Sequence, residues 1–292
     1  MFRYFPKNYV WNLSVDLSIE MGARIGEIEE MCAPLLAASE HPDAEGTRAF
    51  RETWSRMADK LCALAGEDEA RGRRLSAGEK YLRAANYYLT CERLQAHGAP
   101  DRDALYRRFL DVFATGLHHT HANCQRVTIP YEGKTLSALY VRAEGVTGRA
   151  PLLVQVNGLD STKEMKYLVG LPQWLAQRGV SSLVVDQPGT GEALRLHDMK
   201  ARYDSEHWAS RIVDWLEQHP DAEAHTALLD LYFKVQDILR AAERYDEHFT
   251  AQLTAYGSAL DLHILCLDPA PFVDASLSGG RAAALFSATL TP

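Results

Sequence analysis

The sequence predicts an α/β protein in three parts: a helical region at residues 1–120, a mostly parallel sheet flanked by helices at 121–221, and a divergent tail at 222–292. In the first part, apolar residues recur at the spacing of amphipathic helices. In the second part, two short apolar runs, at 152–156 and 183–185, each precede a loop that contains glycine, and a helical pattern separates them. This order is typical of parallel strands in one sheet.

Four amphipathic helices are predicted in the helical region. They are expected at residues 13–38, 50–64, 76–94 and 101–117. Ser76 and Glu79 predict a capping box at the start of the third helix, in which each side chain accepts a backbone N–H at the helix end. Gly98 and Pro100 predict the stop after that helix. No residue of this region is expected to be catalytic.

The charge balance argues against a general nucleic-acid-binding surface. The formal net charge is −8 and the isoelectric point is about 5.8, whereas phosphate contacts need clustered lysine and arginine. The one basic run, Arg71–Arg74, follows the acidic run Glu67–Glu69. We expect a solvated turn there whose charges compensate one another.

The cysteines predict neither a disulfide framework nor a zinc site. They are scattered, with no Cys-x-x-Cys pair: Cys32, Cys62, Cys91, Cys124 and Cys266. Such a set favours reduced thiols. The first residues contain no apolar signal segment, and no stretch is long enough to span a bilayer. The expected location is therefore cytoplasmic.

Three histidines at the end of the helical region, His118, His119 and His121, suggest a metal site. Neighbouring histidines on a helix end point in different directions, and no carboxylate or cysteine stands at ligand spacing. We therefore expect a structural or solvent-facing role for these residues, and no metal.

The strand pattern begins after Cys124. Two extended segments flank the short turn Tyr131–Lys134 and predict an antiparallel hairpin. The strand, helix, strand and helix of an α/β unit follow. In chain order, strands are expected at 126–130, 136–141, 152–156 and 183–185, and helices through 167–175 and from Ser205.

Two loops follow the parallel strands, at Asn157–Glu164 and at Asp186–Glu192. Loops at the carboxyl ends of parallel strands are where α/β enzymes bind ligands. The second loop lacks the third glycine of a dinucleotide fingerprint, and we expect it to support the sheet and shape a pocket without taking part in chemistry. Lys163 and Glu164 are expected to be surface residues in the first turn of a helix.

These two loops, with the strands before them, closely resemble the α/β-hydrolase family. The nearest branch contains 2,6-dihydroxypseudooxynicotine hydrolase and the fermentation-respiration-switch esterases. The resemblance covers residues 1 to about 220 and implies a hydrolase of the serine type, without a cofactor. It implies a small-molecule substrate with an ester or a carbon–carbon bond next to a ketone. It also implies that the helical region packs over the active site and helps to form a homodimer.

The resemblance places candidate site residues in the first loop. Asn157, Gly158 and Leu159 would form the loop that helps to hold an oxyanion, and Leu159 and Asp160 would present backbone amides toward the substrate. Gly158 would allow a close backbone approach. Asp160 matches best the acidic residue with a catalytic role in the resembled carbon–carbon bond hydrolase, where it would orient a substrate hydroxyl or carry a proton. The alternative is that Asp160 caps the following helix, with Ser161 or Thr162 as rivals.

The nucleophile that this family requires is not identified. No Gly-x-Ser-x-Gly occurs in the chain. Ser258 follows a glycine but has Leu260 where the second glycine should stand, and Ser276 has Asp274 at the first glycine position. Neither serine is expected to follow a β-strand, and no histidine follows Ser276. We therefore expect neither to be a nucleophile of the family's type.

The tail departs from the hydrolase pattern. We expect a long amphipathic helix at 227–250 and strands at 262–267 and 283–286, either of which would cover the open edge of strand 152–156. The segment Phe286–Leu290 is similar to the Ser-Ala-Thr motif of superfamily 2 helicases, and the helix before it resembles that of Rad3/DinG-like members. No phosphate-binding Gly-x-x-x-x-Gly-Lys-Ser/Thr accompanies it.

Three hypotheses follow from the sequence. The first is a hydrolase, with catalysis by this chain dependent on a nucleophile not yet found. The second is a non-catalytic scaffold, produced by a fusion, a frameshift or an assembly error across residues 222–292. The third is a DNA-binding fragment derived from a helicase, which the acidic composition disfavours.

Overall fold

A computed structural model describes residues 3–40, 44–96, 98–158, 160–219, 222–223, 249–256 and 259–266. The chain divides into two compact units, at residues 1–225 and 226–292. Each unit is described by itself. No helix among the described residues is both long enough and apolar enough to cross a membrane.

Five α-helices form the first part of the larger unit. They are α1 at Tyr9–Glu20, α2 at Ile25–Cys32, α3 at Ala44–Ala70, α4 at Arg74–Arg93 and α5 at Arg102–His119, with short 3-10 turns at Ala33–Leu35 and Ala38–Glu40. The prediction of one helix over 13–38 is wrong, because Gly22 takes a positive φ of 93° and separates α1 from α2. The predicted start of α5 near Asp101 is confirmed.

The predicted capping box at Ser76 is also wrong. Helix α4 begins at Arg74, so that Ser76 lies inside it. The Ser76 hydroxyl donates to Asp68 over 2.6 Å, and the Lys80 ammonium lies 2.6 Å from the same carboxylate. The compensating turn is confirmed, since Arg71 pairs with Glu67 and Arg73 with Asp68.

An aromatic row forms the centre of the helical core. Trp11, Phe50, Trp54 and Tyr87 follow one another with ring centroids 4.8–5.6 Å apart, and all four side chains are buried. Contacts of this kind add to the gain from burying the rings themselves. The core of the helical region is therefore mainly apolar.

The sheet is mixed, in the order β1-β2-β4-β3-β5. Its strands are β1 at Gln125–Tyr131, β2 at Lys134–Val141, β3 at Ala150–Val156, β4 at Ser181–Val185 and the short β5 at Ala222–Glu223. The predicted hairpin is confirmed by antiparallel pairing of β1 with β2 around Glu132-Gly133. Parallel pairing of β3 with β4 confirms the two predicted parallel strands.

Four helices flank this sheet: α6 at Lys163–Val169, α7 at Leu171–Ala176, α8 at Gly191–Arg195 and α9 at Glu206–Gln218. The helix predicted through 167–175 is divided at Gly170, which has a φ of 98°. Helix α8 was not predicted. The arrangement of helices and mixed sheet confirms the α/β fold class.

The smaller unit contains an antiparallel hairpin of β6, Phe249–Tyr256, and β7, Ala259–Cys266. The predicted helix over 227–250 is wrong at Phe249 and Thr250, which lie in β6; its remainder to 248 lies outside the described residues. The strand expected at 262–267 is confirmed as part of β7, and it pairs with β6. On the side of β3 away from β4, the described residues place the short β5, in parallel register at Ala150 and Pro151. The strand expected at 283–286 lies outside the described residues.

Candidate functional site

The candidate site begins where β3 and β4 end. Val156 of β3 lies opposite Val185 of β4 in parallel register, so the loops after both strands leave the same edge of the sheet. This is the edge at which α/β proteins bind ligands. The two loops that were selected from the sequence are therefore neighbours.

Asn157 connects the two loops. Its backbone N–H donates to Oε1 of Gln187 over 2.9 Å, and its backbone carbonyl accepts from Nε2 of Gln187. Its side-chain amide donates to the carbonyl of Val185 over 2.9 Å and to Oδ1 of Asp186 over 2.8 Å. Because Asn157 is buried and bonded through both backbone and side chain, the start of the first loop is held against the second.

Asp186 is the centre of the hydrogen-bond network below the loops. Its Oδ1 also accepts from the backbone N–H of Lys163 over 2.8 Å, and its Oδ2 accepts from the backbone N–H of Glu192 over 2.9 Å. These two N–H groups lie at the starts of α6 and α8, where helix ends favour negative charge. A Cβ on Gly191 would lie 2.1 Å from this carboxylate, so only glycine fits there without a shift.

Lys163 is fully buried among carboxylates. Its Nζ lies 2.8 Å from Asp186 Oδ2, 2.8 Å from Glu164 Oε1 and 3.0 Å from Glu192 Oε2. Burial alone would lower the pKa of Lys163, but the three carboxyl groups raise it above its ordinary value. Lys163 is therefore a permanent buried cation.

The expectation that Lys163 and Glu164 are surface residues is wrong. Their side chains are 0% and 2% exposed. The physical reason is that the partners come from the other loop, since Asp186 and Glu192 supply the charge that makes burial of Lys163 tolerable. The sequence signal for this burial was the pair of acids, Asp186 and Glu192, in a loop that was expected only to support the sheet and shape a pocket.

The same acids resemble a cation site. Oxygen atoms of Glu164, Asp186 and Glu192 lie within 4.8 Å of one another, and carboxylate oxygens are ligands for hard cations. The Lys163 ammonium group contacts all three carboxyl groups. This side chain therefore supplies the positive charge that the cluster needs, and the residues do not fit a metal ion.

The acids differ in protonation. Burial raises the pKa of Glu164, although Lys163 opposes the change. For Glu192, burial is outweighed by Lys163 and Arg126, and its pKa is lowered. The pKa of Glu192 is therefore shifted toward the ionised form, and that of Glu164 toward the protonated form. One oxygen of Glu164, Oε2, has no hydrogen-bond partner among the described residues.

Asp160 is exposed and has a positive φ of 61°. It does not cap α6. That cap is Thr162, whose hydroxyl accepts from the backbone N–H of Met165 over 3.4 Å. The capping interpretation of Asp160 is therefore wrong, and its catalytic role stays a prediction.

The predictions for Gly158 and Leu159 have different outcomes. Gly158 is exposed, and a Cβ there would meet no protein atom within 4 Å. The protein itself does not require glycine at this position, so a close approach would concern only a bound substrate. Leu159 lies outside the described residues.

The helical region contributes residues that sequence reasoning missed. Arg93, at the end of α4, donates through Nε to the carbonyl of Asp160 over 3.2 Å. Glu92 is fully buried and accepts through Oε1 from Arg102 over 2.6 Å and from Arg195 over 2.7 Å. The Arg195 guanidinium lies over the ring of Tyr106, 5.1 Å from its centroid. No spacing pattern connects these residues, because they come from α4, α5 and α8.

Tyr106 of α5, over which Arg195 lies, also has an unusual environment. Its hydroxyl is buried and has no hydrogen-bond partner among the described residues. Burial raises its pKa, and Glu164 is the charged group that raises it most. The phenol therefore stays neutral near the base of the first loop.

The three histidines do not form a cation cluster. Nε2 of His119 lies 3.3 Å from Oε1 of Glu69, and its ring stacks on Tyr81. Glu69 does not stand at ligand spacing in the sequence, and it reaches His119 from another helix, α3. Within the described ranges, the group of three or more close ligand atoms is the one at Glu164, Asp186 and Glu192.

The two serines weighed as nucleophiles lie outside the described residues. The chain around Ser258 is nevertheless informative. Tyr256 ends β6 and Ala259 begins β7, and these two residues are paired across an antiparallel hairpin. A strand does precede Ser258, contrary to expectation, but an antiparallel strand follows it where a nucleophile elbow requires a helix.

No family model matches the chain. Two curated relatives are the hydrolase LUC6 of Fusarium sp, 34% identical over 66% of this chain and 46% of that protein, and the alpha/beta hydrolase psoB of Aspergillus fumigatus, 30% identical over 69% and 46%. The solved structure of 2,6-dihydroxy-pseudo-oxynicotine hydrolase is similar with a TM-score of 0.54 and 20% identity, over 70% of this chain and 53% of that one.

These similarities support the α/β-hydrolase family. The structural similarity shows the fold, and the names of the sequence relatives support a hydrolase. The chain spans about half the length of the curated relatives it matches. The relatives named above give the helicase resemblance of the tail no support.

Proposed function

We propose that this chain contributes the substrate-binding edge of an α/β hydrolase. The substrate is a small molecule, and the bond cleaved is an ester or a carbon–carbon bond next to a ketone. The name of the structural relative, a hydrolase of 2,6-dihydroxy-pseudo-oxynicotine, supports this substrate class. The proposal includes a cytoplasmic location and a homodimer formed through the helical region, as in the resembled family.

One observation carries the proposal: hydrogen bonds hold the start of the loop after β3, whereas its later described residues are exposed. Asn157 and the network around Asp186 hold its start, whereas Gly158 and Asp160 are exposed at the carboxyl edge of the sheet. Groups that are held in advance stabilise a transition state without the cost of reorganisation. A loop with this support is suited to present backbone N–H groups to a developing oxyanion.

The roles of the loop residues follow from this arrangement. Gly158 provides the close backbone approach, and Leu159 and Asp160 provide the N–H groups. Asn157, whose own N–H donates to Gln187, sets their orientation. Asp160 orients a substrate hydroxyl or carries a proton, a role that its exposure in this loop supports. An N–H group placed in this way contributes on the order of 3 kcal/mol to the transition state.

The serine nucleophile is the untested part of the proposal. Hydrolysis of 4-nitrophenyl acetate by the purified 292-residue chain, abolished by a fluorophosphonate, is the expected result. Mass spectrometry of the labelled protein then identifies the serine. Folded protein that neither hydrolyses the ester nor takes up the phosphonate would contradict catalysis by this chain.

A second candidate function is a non-catalytic scaffold. The observation that favours it is the sequence itself, which contains no Gly-x-Ser-x-Gly. One variant distinguishes the two candidates. For an enzyme, Asp160→Asn lowers ester turnover and leaves the unfolding midpoint unchanged, whereas a scaffold has no turnover for the substitution to lower.

A further inference from the structure

Arg93 is a charged side chain with unused hydrogen-bonding capacity beside the candidate loop. It is half-buried, and its Nε donates to the carbonyl of Asp160 over 3.2 Å. Its Nη1 is buried and has no hydrogen-bond partner among the described residues. A buried donor without an acceptor costs about 1–3 kcal/mol, and more when the group is charged.

Charged groups of both signs lie around Arg93. Arg102 and Arg195 share a single oxygen of Glu92, at 2.6 and 2.7 Å. Burial lowers the pKa of Arg93; Asp160 raises it and Arg195 lowers it. An arginine nevertheless stays protonated in a protein. Glu92 thus already has two arginine partners, and the described residues supply no hydrogen-bond acceptor to Nη1 of Arg93.

A guanidinium group with a free N–H is a specific receptor for oxygen anions. Its planar arrangement of donors matches a carboxylate and suits any acceptor oxygen that carries negative charge. Arg93 also fixes the backbone of the candidate loop through Asp160, so an anion on Nη1 would lie next to that loop. The same guanidinium group therefore combines a contact to the loop, through Nε, with a donor that has no acceptor among the described residues, Nη1.

We propose that Arg93 binds an anionic oxygen of the substrate, either a carboxylate or an enolate, beside the loop at residues 157–160. Arg93 is then a specificity-determining residue that the helical region supplies to a site on the sheet. The inference rests on the proposed function only in taking that loop to border the substrate.

The test measures binding, not turnover. Benzoate is the anionic probe, and benzamide is its neutral counterpart of the same shape. Each is titrated into the full-length chain while the arginine Nε–Hε signals are followed by NMR. The signal lost in Arg93→Met identifies Arg93. We expect benzoate to shift this signal and benzamide to leave it in place.

Substitutions of Arg93 test how much this side chain contributes to benzoate binding. Arg93→Met should weaken benzoate binding about tenfold or more, because a charged hydrogen bond is lost. Arg93→Lys should keep part of the affinity, since it retains the charge without the planar donors. Arg74→Met, which removes an exposed arginine at the start of the same helix, is the matched control and should bind as the unmodified chain does.

Two outcomes would overturn the inference: equal binding of benzoate and benzamide, or unchanged benzoate binding in Arg93→Met. If Arg93→Met does not fold, the comparison between Arg93→Lys and the unmodified chain decides, and equal affinity overturns the inference. Failure of ester turnover with benzoate still bound at Arg93 would contradict the proposed function and leave the anion site intact.

Discussion

The helical region and the sheet edge bury their side chains in opposite ways. Trp11, Phe50, Trp54 and Tyr87 fill the helical core with stacked and edge-on rings. Beneath the candidate loop, the buried side chains are instead Lys163 and the three acids Glu164, Asp186 and Glu192. An apolar core tolerates similar residues of equal volume, whereas an ionic cluster depends on every partner. The comparison predicts that the sheet edge is the more sensitive region.

The largest effect is expected for Lys163→Met. The substitution removes the buried cation from Asp186, while Glu192 keeps its ion pair with Arg126. The free energy of unfolding should fall by about 3–5 kcal/mol, because Asp186 stays buried without its cation. Denaturation in urea measures the change. The matched substitution in the helical core, Phe50→Leu, should cost less. If Lys163→Met were as stable as the unmodified chain, the ionic cluster would not hold the loops.

The second effect is expected for Gly191→Ala. The new Cβ would lie 2.1 Å from the Asp186 carboxylate, at a φ of 42° that side chains rarely adopt. The free energy of unfolding should fall by about 1–3 kcal/mol. Gly158→Ala is the control, because nothing lies within 4 Å of a Cβ there. Its effect should stay below about 1 kcal/mol. Equal losses in the two variants would contradict the packing described around Asp186.

A smaller effect distinguishes Thr162 from Asp160 as the residue that caps the start of α6. Thr162→Ala removes the hydroxyl that accepts from Met165 and should cost about 1 kcal/mol in the free energy of unfolding. Asp160→Asn should change it by less than about 0.5 kcal/mol, since Asp160 makes no cap. A larger loss in Asp160→Asn would return the capping role to that residue.

The smallest effects concern the pH dependence of stability. The contributions of the sheet edge and of the helical region should change with pH in opposite directions. Burial raises the pKa of Glu164, so the folded state holds a proton that the unfolded chain releases, and stability falls as pH rises toward the raised pKa. Hydrogen bonds from Lys80 and Ser76 lower the pKa of Asp68 to about 2, so its contribution is lost as pH falls toward that value.

Glu164→Gln and Asp68→Asn test this contrast. The first should flatten the decline in the free energy of unfolding above the ordinary glutamate pKa, and the second should flatten the acid side of the same profile. Urea unfolding at a series of pH values measures both. A decline that persists in Glu164→Gln would show that another group carries it.

The sequence predicted what depends on local spacing. The hairpin at Glu132-Gly133, the parallel pair β3 and β4, and the start of α5 all have their determinants within a few residues. The turn at Gly22 was missed, although its glycine stood in the predicted helix. Failures of this kind arise because apolar spacing alone does not show where a helix breaks.

The site was predictable only in its position. Loops after parallel strands meet at one edge, and this placed Asn157 and Asp186 together. The burial of Lys163 was not predictable, because its partners Asp186 and Glu192 lie 23 and 29 residues away in another loop. Arg93 reaches Asp160 from 67 residues away. Such contacts depend on the tertiary fold and leave no periodic pattern.

The most direct test of the central claim, that residues 157–160 border a substrate, is to follow backbone amide signals while a trifluoromethyl ketone is added. Such a ketone imitates an ester at the moment of attack, and its oxygen seeks the N–H groups that hold an oxyanion. We predict that the signals of Gly158, Leu159 and Asp160 shift together, and that Lys163→Met abolishes the shift. Saturable binding that moves signals elsewhere, with those of residues 157–160 unchanged, would contradict the account.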